Sequence, residues 1–122
     1  MSWVDDDSTY ILLKKMLDVC VLRHKVIASN IANVDTPGFK SSRVIFEEKL
    51  KSFLKKGLNK ESLEQVTPEI HTDQTNSLRE DLNNVDIEKE MVRLSMNSLR
   101  YSIYVQLLSK KLEKIKAAIK GR

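Results

Sequence analysis

The sequence predicts a mainly α protein. Two long antiparallel terminal helices pair like a coiled coil, one short helix follows a Thr-Pro-Gly-Phe turn, and an irregular or weak-hairpin polar middle completes the chain. Three observations lead there. Apolar residues recur with alternating spacings of three and four near both ends of the chain, which is a heptad pattern. Only 3 Gly and 2 Pro occur in 122 residues, too few turn residues for many short strands. The one dense cluster of helix stop signals, Asn33-Val34-Asp35-Thr36-Pro37-Gly38, ends the first heptad run. The length suits one unit spanning 1–122: a helix over 8–34, a turn, short helix and irregular middle over 35–84, and a helix over 85–120.

In order along the chain, Met1–Asp7 is polar and expected to fray, and Asp7 or Ser8 can cap the first helix. Its seam then steps through Tyr10, Leu13, Leu17, Cys20, His24, Ile27, Ile31 and Val34. A second stripe holds Leu12, Met16, Val19 and Val26. Asn33 and Asp35 can bond nearby backbone, and Pro37 drives Thr36 out of helical geometry. Gly38 suits the positive φ of a type II turn. Phe39–Arg43 reads as extended, and Phe46, Leu50, Phe53 and Leu54 mark a short helix stopped by Gly57. Residues 59–84 show no period; one helical turn or a weak hairpin is expected there, docked loosely through Leu63, Val66, Ile70, Leu78 and Leu82.

The last helix is expected over Ile87–Lys120, capped by Asn84 or Asp86 and roughly 51 Å long. Glu88 and Glu90 near its start and lysines near its end match the helix dipole. Its seam includes Met91, Leu94, Tyr101, Val105, Leu108 and Leu112, expected to meet Leu13, Leu17, Ile27 and Ile31 of the first helix. A second stripe, Val92, Leu99 and Ile103, is left over. Two helices cannot bury two faces each, so Leu12, Met16, Val19, Val92, Leu99 and Ile103 are expected to form a lateral assembly face.

Little in the composition points to chemistry. One cysteine, Cys20, excludes an internal disulfide, and its place on the apolar stripe suits a small buried hydrophobe. His24 and His71 are far apart, no metal-ligand spacing occurs, and Gly38, Gly57 and Gly121 are isolated, so no cofactor, metal or catalytic site is expected. The net charge of +4 concentrates in Lys110–Arg122, with six basic residues against Glu113. That tail lacks stacking aromatics, so a basic helical nucleic-acid binder is the weaker alternative to a free-standing coiled-coil adaptor. No apolar run approaches a membrane span, and the acidic start lacks the pattern of a cleaved signal.

Ala28-Ser29-Asn30-Ile31-Ala32-Asn33-Val34-Asp35-Thr36-Pro37-Gly38-Phe39-Lys40 resembles the motif that ends the first helix of the bacterial flagellar rod, hook and hook-filament axial proteins. In it, Asn30, Asn33, Asp35, Thr36, Pro37, Gly38 and Phe39 are the motif and turn positions. Asn83–Met91, Asn97–Tyr101 and Gln106–Leu112 are similar to the small proximal rod members of that family. The resemblance implies a non-enzymatic structural subunit, with no small-molecule substrate and no nucleic acid. It implies self-association in the periplasmic rod of the basal body, which transmits torque from motor to hook, and export through the flagellar type III apparatus without signal cleavage. The implied partners are rod proteins of the FlgC, FlgF and FlgG types, the adaptor FliE, the MS ring and the export gate.

Overall fold

The computed structural model describes residues 3–57 and 60–121. Met1 and Ser2, at the start of the leader expected to fray, lie outside the described residues, as does Asn59 of the polar middle. The order is α1 (Trp3–Ala32), β1 (Ser42–Ile45), α2 (Glu47–Leu54), α3 (Lys60–Gln65), β2 (Glu69–Thr72) and α4 (Ile87–Lys120). The chain is therefore mainly helical, with two long terminal helices as expected. The α1 backbone starts at Trp3 rather than near Ser8. The helix ends at Ala32, just before the stop cluster.

The middle is more ordered than its composition suggested. β1 and β2 pair antiparallel, from Ser42 opposite Thr72 to Ile45 opposite Glu69. They are not a tight hairpin, because α2 and α3 lie between them. Gly57 stops α2 with φ +103°, donating its N–H to Leu54 O. Leu63 and Val66 are almost wholly buried, whereas Ile70, Leu78 and Leu82 stay exposed. Lys15 ties α3 down: its Nζ donates to Glu64 O (3.1 Å) and Val66 O (2.8 Å), two carbonyls at the helix's C-terminal end.

The apolar core sits between α1 and this middle layer. Met16, Val19, Val44, Phe46 and Val66 form it, with Leu12, Leu22, Val26 and Phe53 packed around them. Met16 and Val19, expected on an outward assembly face, are 8% and 1% exposed, and Leu12 is half-buried beside them. They are core residues rather than an outward face. The physical reason is that Val44, Phe46 and Val66 supply the partner that the polar middle appeared to lack, and each such burial stabilises by about 1.5–3 kcal/mol.

Arg23 locks the middle layer onto α1 from outside. Its Nη1 donates to Glu47 Oε2 (2.6 Å) and its Nη2 to Val44 O (3.1 Å). The Arg23 hydrogen bond holds the Glu47 carboxyl below its ordinary range, and burial opposes this only in part. A group with a lowered folded-state pKa stabilises above its unfolded-state range and loses that contribution as pH falls through the folded-state value. Glu47 is about half exposed, so Glu47→Gln is expected to cost under about 1 kcal/mol near neutral pH. Urea midpoints of variant and parent should converge in acid, and a gap that widened there would contradict this account.

Candidate assembly surface

The stop cluster ends α1 and turns the chain. Asn33 closes the helix with its own side chain: Nδ2 donates to Ser29 O (2.8 Å), and Oδ1 accepts from Thr36 Oγ1 (3.1 Å). Gly38 has φ +75°, and Phe39 N–H donates to Thr36 O (3.2 Å), the bond that closes a type II turn over Pro37-Gly38. Asp35 and Pro37 are exposed on the outside of the bend.

A segment from far along the chain grips this turn. Gly38 N–H donates to Asp81 O (2.7 Å) and Asn84 N–H to Phe39 O (3.3 Å). Asn83 is fully buried, and its Nδ2 donates to both Asn33 O and Thr36 O at 2.8 Å, while its Oδ1 accepts from Val85 N–H. Arg79 Nη2 reaches Val34 O (2.9 Å) and Asp81 Oδ2 (3.0 Å). Asn84 receives Ser41 N–H and donates to Asp73 O and Thr75 O, so it bridges loops rather than capping α4. The cap is Asp86, which accepts from Lys89 N–H. Among these clamp residues the sequence offers Asn84 only as a candidate cap of α4 and Asn83 only as the start of a family-like string, and no local pattern says which distant carbonyls such side chains will reach.

Asn30 joins three elements at one buried point. Its Nδ2 donates to Ser42 O and Glu90 Oε1, and its Oδ1 accepts from Ser42 N–H, all at 2.9 Å. Glu90 is 1% exposed and also accepts from Arg93 Nη1. Further along, Asn97 Nδ2 donates to Cys20 O (2.8 Å). Asn30 with Glu90 and Cys20 with Asn97 fix α1 and α4 as antiparallel. Burial pushes the Cys20 thiol pKa up, as for a packed rather than reactive sulfur.

The α4 contact line is therefore polar where it is deepest. Among the described residues, Glu90 and Asn97 are the fully buried side chains of α4. They are seven residues apart, and Tyr104 continues their line onto the core. On the α1 seam, Leu13, Cys20 and Ile27 are buried, and Leu17 and Ile31 are half-buried. On the α4 seam, Leu94 and Leu108 are half-buried, but Met91, Tyr101, Val105 and Leu112 are exposed. The true contact line is rotated by roughly a sixth to a quarter of a turn from the apolar one. The apolar pattern passed over Glu90 and Asn97 because they are polar.

As a result α4 shows apolar side chains on both flanks of its contact line. One flank carries Ile87, Met91, Tyr101, Val105 and Leu112. The other carries Met96 and Leu107 with Val92 (58% exposed), Leu99 (62%) and Ile103 (46%). Exposed apolar area of this extent along one helix marks an association surface. Among the described residues there is no group of three metal-ligating side chains. No helix there is long and apolar enough to cross a membrane.

Comparisons with known proteins find relatives of this sequence. A family model described as flagella basal body rod protein matches residues 22–40, the end of α1 and its turn. The flagellar basal body rod protein FlgB of Borrelia hermsii is 36% identical, over 89% of this chain and 93% of its own length. FlgB of Aquifex aeolicus is 32% identical over 91% and 92%, and FlgB of Bacillus subtilis 28% over 89% and 91%. These are structural rod proteins rather than enzymes, and they place this chain in the flagellar basal body as a component of its rod. With the helix-ending turn and most of the remaining length both matched, the chain belongs to the FlgB family of flagellar basal body rod proteins.

Proposed function

We infer that this subunit polymerises through its terminal helices at the proximal end of the periplasmic rod, which carries torque from motor to hook. One observation carries the reading: α4 buries polar side chains inside the subunit and leaves Val92, Leu99 and Ile103 outside. Hiding an exposed leucine-sized side chain is worth about 1.5–3 kcal/mol, so a neighbour that covers this flank gains several times that. Leu12, Met16 and Val19 act differently, by holding the middle layer on α1. The proposed face is thus α4 alone, with the second flank, Met91, Tyr101, Val105 and Leu112, open to another neighbour.

The neighbours in this reading are further copies and rod proteins of the FlgC, FlgF and FlgG types, with FliE, the MS ring and the export gate at the base. Export occurs through the flagellar apparatus without signal cleavage, and long terminal helices suit passage through a narrow channel, with order completed on assembly. The turn at Asn33–Phe39 leads the chain out of the helical layer toward β1.

Leu99→Glu with Ile103→Glu tests the reading. Both positions are exposed, so the free subunit should keep its stability within about 0.5 kcal/mol. Cells carrying the pair should export the subunit but lose rods, hooks and motility together. Normal hooks on such cells would overturn the assignment of this face, and a discrete stable oligomer of purified parent protein would favour a free-standing coiled-coil adaptor instead.

A further inference from the structure

The C-terminal end of α4 differs from the rest of the helix. From Leu112 to Gly121 every residue is exposed, so the core of the subunit does not reach it. Leu112, Ile115 and Ile119 are its large apolar side chains, between 41% and 71% exposed. At 3.6 residues per turn they fall within about 60° of one another around the helix. Lys116 and Lys120 flank that stripe on one side and the half-buried Lys111 on the other, with Lys110 and Lys114 on the far face. These five lysines share 110–120 with a single acid, Glu113. In sequence, Asp5, Asp6 and Asp7 begin the antiparallel α1 at the same end of the pair, and the six basic residues of 110–122 still outnumber those three acids and Glu113 together.

We propose that this end of the free subunit lies on an anionic bilayer surface, with Leu112, Ile115 and Ile119 at the boundary of headgroups and acyl chains and the lysines at the level of the phosphates. A narrow apolar stripe bordered by lysines on both sides is the pattern of a helix that lies in a membrane interface rather than across it. Lysine stems run along apolar surface while the ammonium group stays with water and phosphate, so Lys111 and Lys116 reach headgroups from either side of the stripe. Each basic residue close to an anionic surface is worth roughly a fivefold gain in partitioning. A neutral bilayer covers the stripe but does not draw the lysines. Duplex DNA answers the lysines but leaves the three apolar side chains in water, and the described part of this end has neither the arginine nor the aromatic side chains that read or stack on bases. The proposal goes beyond the rod reading and does not depend on it, because it concerns the subunit before any neighbour covers Leu112.

The full chain is sedimented with vesicles of phosphatidylglycerol and phosphatidylcholine in equal parts, and with vesicles of phosphatidylcholine alone. It should bind the mixed vesicles about tenfold or more tightly than the neutral ones, and high salt should release it. Lys114→Glu with Lys116→Glu should weaken that binding about 25-fold or more, from the fivefold worth of each lysine. Leu112→Gln with Ile115→Gln keeps every charge and should weaken it about tenfold, since two apolar side chains no longer enter the bilayer. All four positions are exposed, so both variants should keep the helix content and thermal midpoint of the parent. Equal binding to the two kinds of vesicle, no binding, or binding that the glutamine pair leaves unchanged overturns the proposal. So does duplex DNA bound as tightly as the mixed vesicles. A dimer of the purified chain that the glutamine pair dissociates also overturns it, because a second copy then covers the stripe.

Discussion

Asn30→Ala is expected to lower the unfolding free energy by about 3–5 kcal/mol, a large part of the total for a chain of this size. The substitution removes three hydrogen bonds of the buried Asn30 side chain, one buried (to Glu90) and two part-buried (to Ser42). It leaves the part-buried Ser42 N–H and C=O without their partner, each worth up to about 1–3 kcal/mol to the extent that water does not replace Asn30. It also takes a donor from Glu90, a carboxylate that is 1% exposed and then relies on Arg93. The apolar area lost is negligible, so nearly all of the effect is polar. Urea denaturation of the free subunit measures it directly. A midpoint shift equivalent to less than about 0.5 kcal/mol would mean that water replaces Asn30 readily and that the α1–β1–α4 junction is wetter than described.

Gly38→Val should act through the backbone. A side chain at Gly38 meets nothing within 4 Å, so there is no clash to relieve. The φ of +75° is what valine resists. A left-handed conformation costs an ordinary L-residue about 1–2 kcal/mol, and a β-branched one more. The expected order of stability is Gly, then Asn, then Ala, then Val, read from thermal midpoints. The consequence for assembly is larger than the loss of stability. Shifting this φ moves Gly38 N–H away from Asp81 O and Phe39 away from Asn84, so the grip of residues 79–85 on the turn weakens. That grip places the start of α4 beside the end of α1. Gly38→Val should therefore reduce rod number more than export, and normal rods would show that the turn serves only to end the helix.

The sequence alone determined the long-range plan. Heptad spacing marked both terminal helices, and α4 runs over the expected Ile87–Lys120 because its dipole-matched ends and Asp86 cap are local features. The thirteen-residue string around Pro37-Gly38 identified the family, and Gly38 and Gly57 show the positive φ expected of a glycine turn and a glycine helix stop. Such signals depend on residues adjacent in the chain, so they survive without knowledge of the fold.

Only the tertiary structure decided which stripe faces what. Leu12, Met16 and Val19 went inward because Val44, Phe46 and Val66, from a middle that reads as polar, come together on that side of α1. The α4 contact line turned onto Glu90 and Asn97 because Asn30 and the Cys20 carbonyl wait opposite them. A polar side chain reads as outward-facing until its partner is known, and both partners lie at least 60 residues away. Burial of a charged or amide group is favourable only when a specific donor or acceptor meets it, and hydrophobic periodicity carries no information about that meeting.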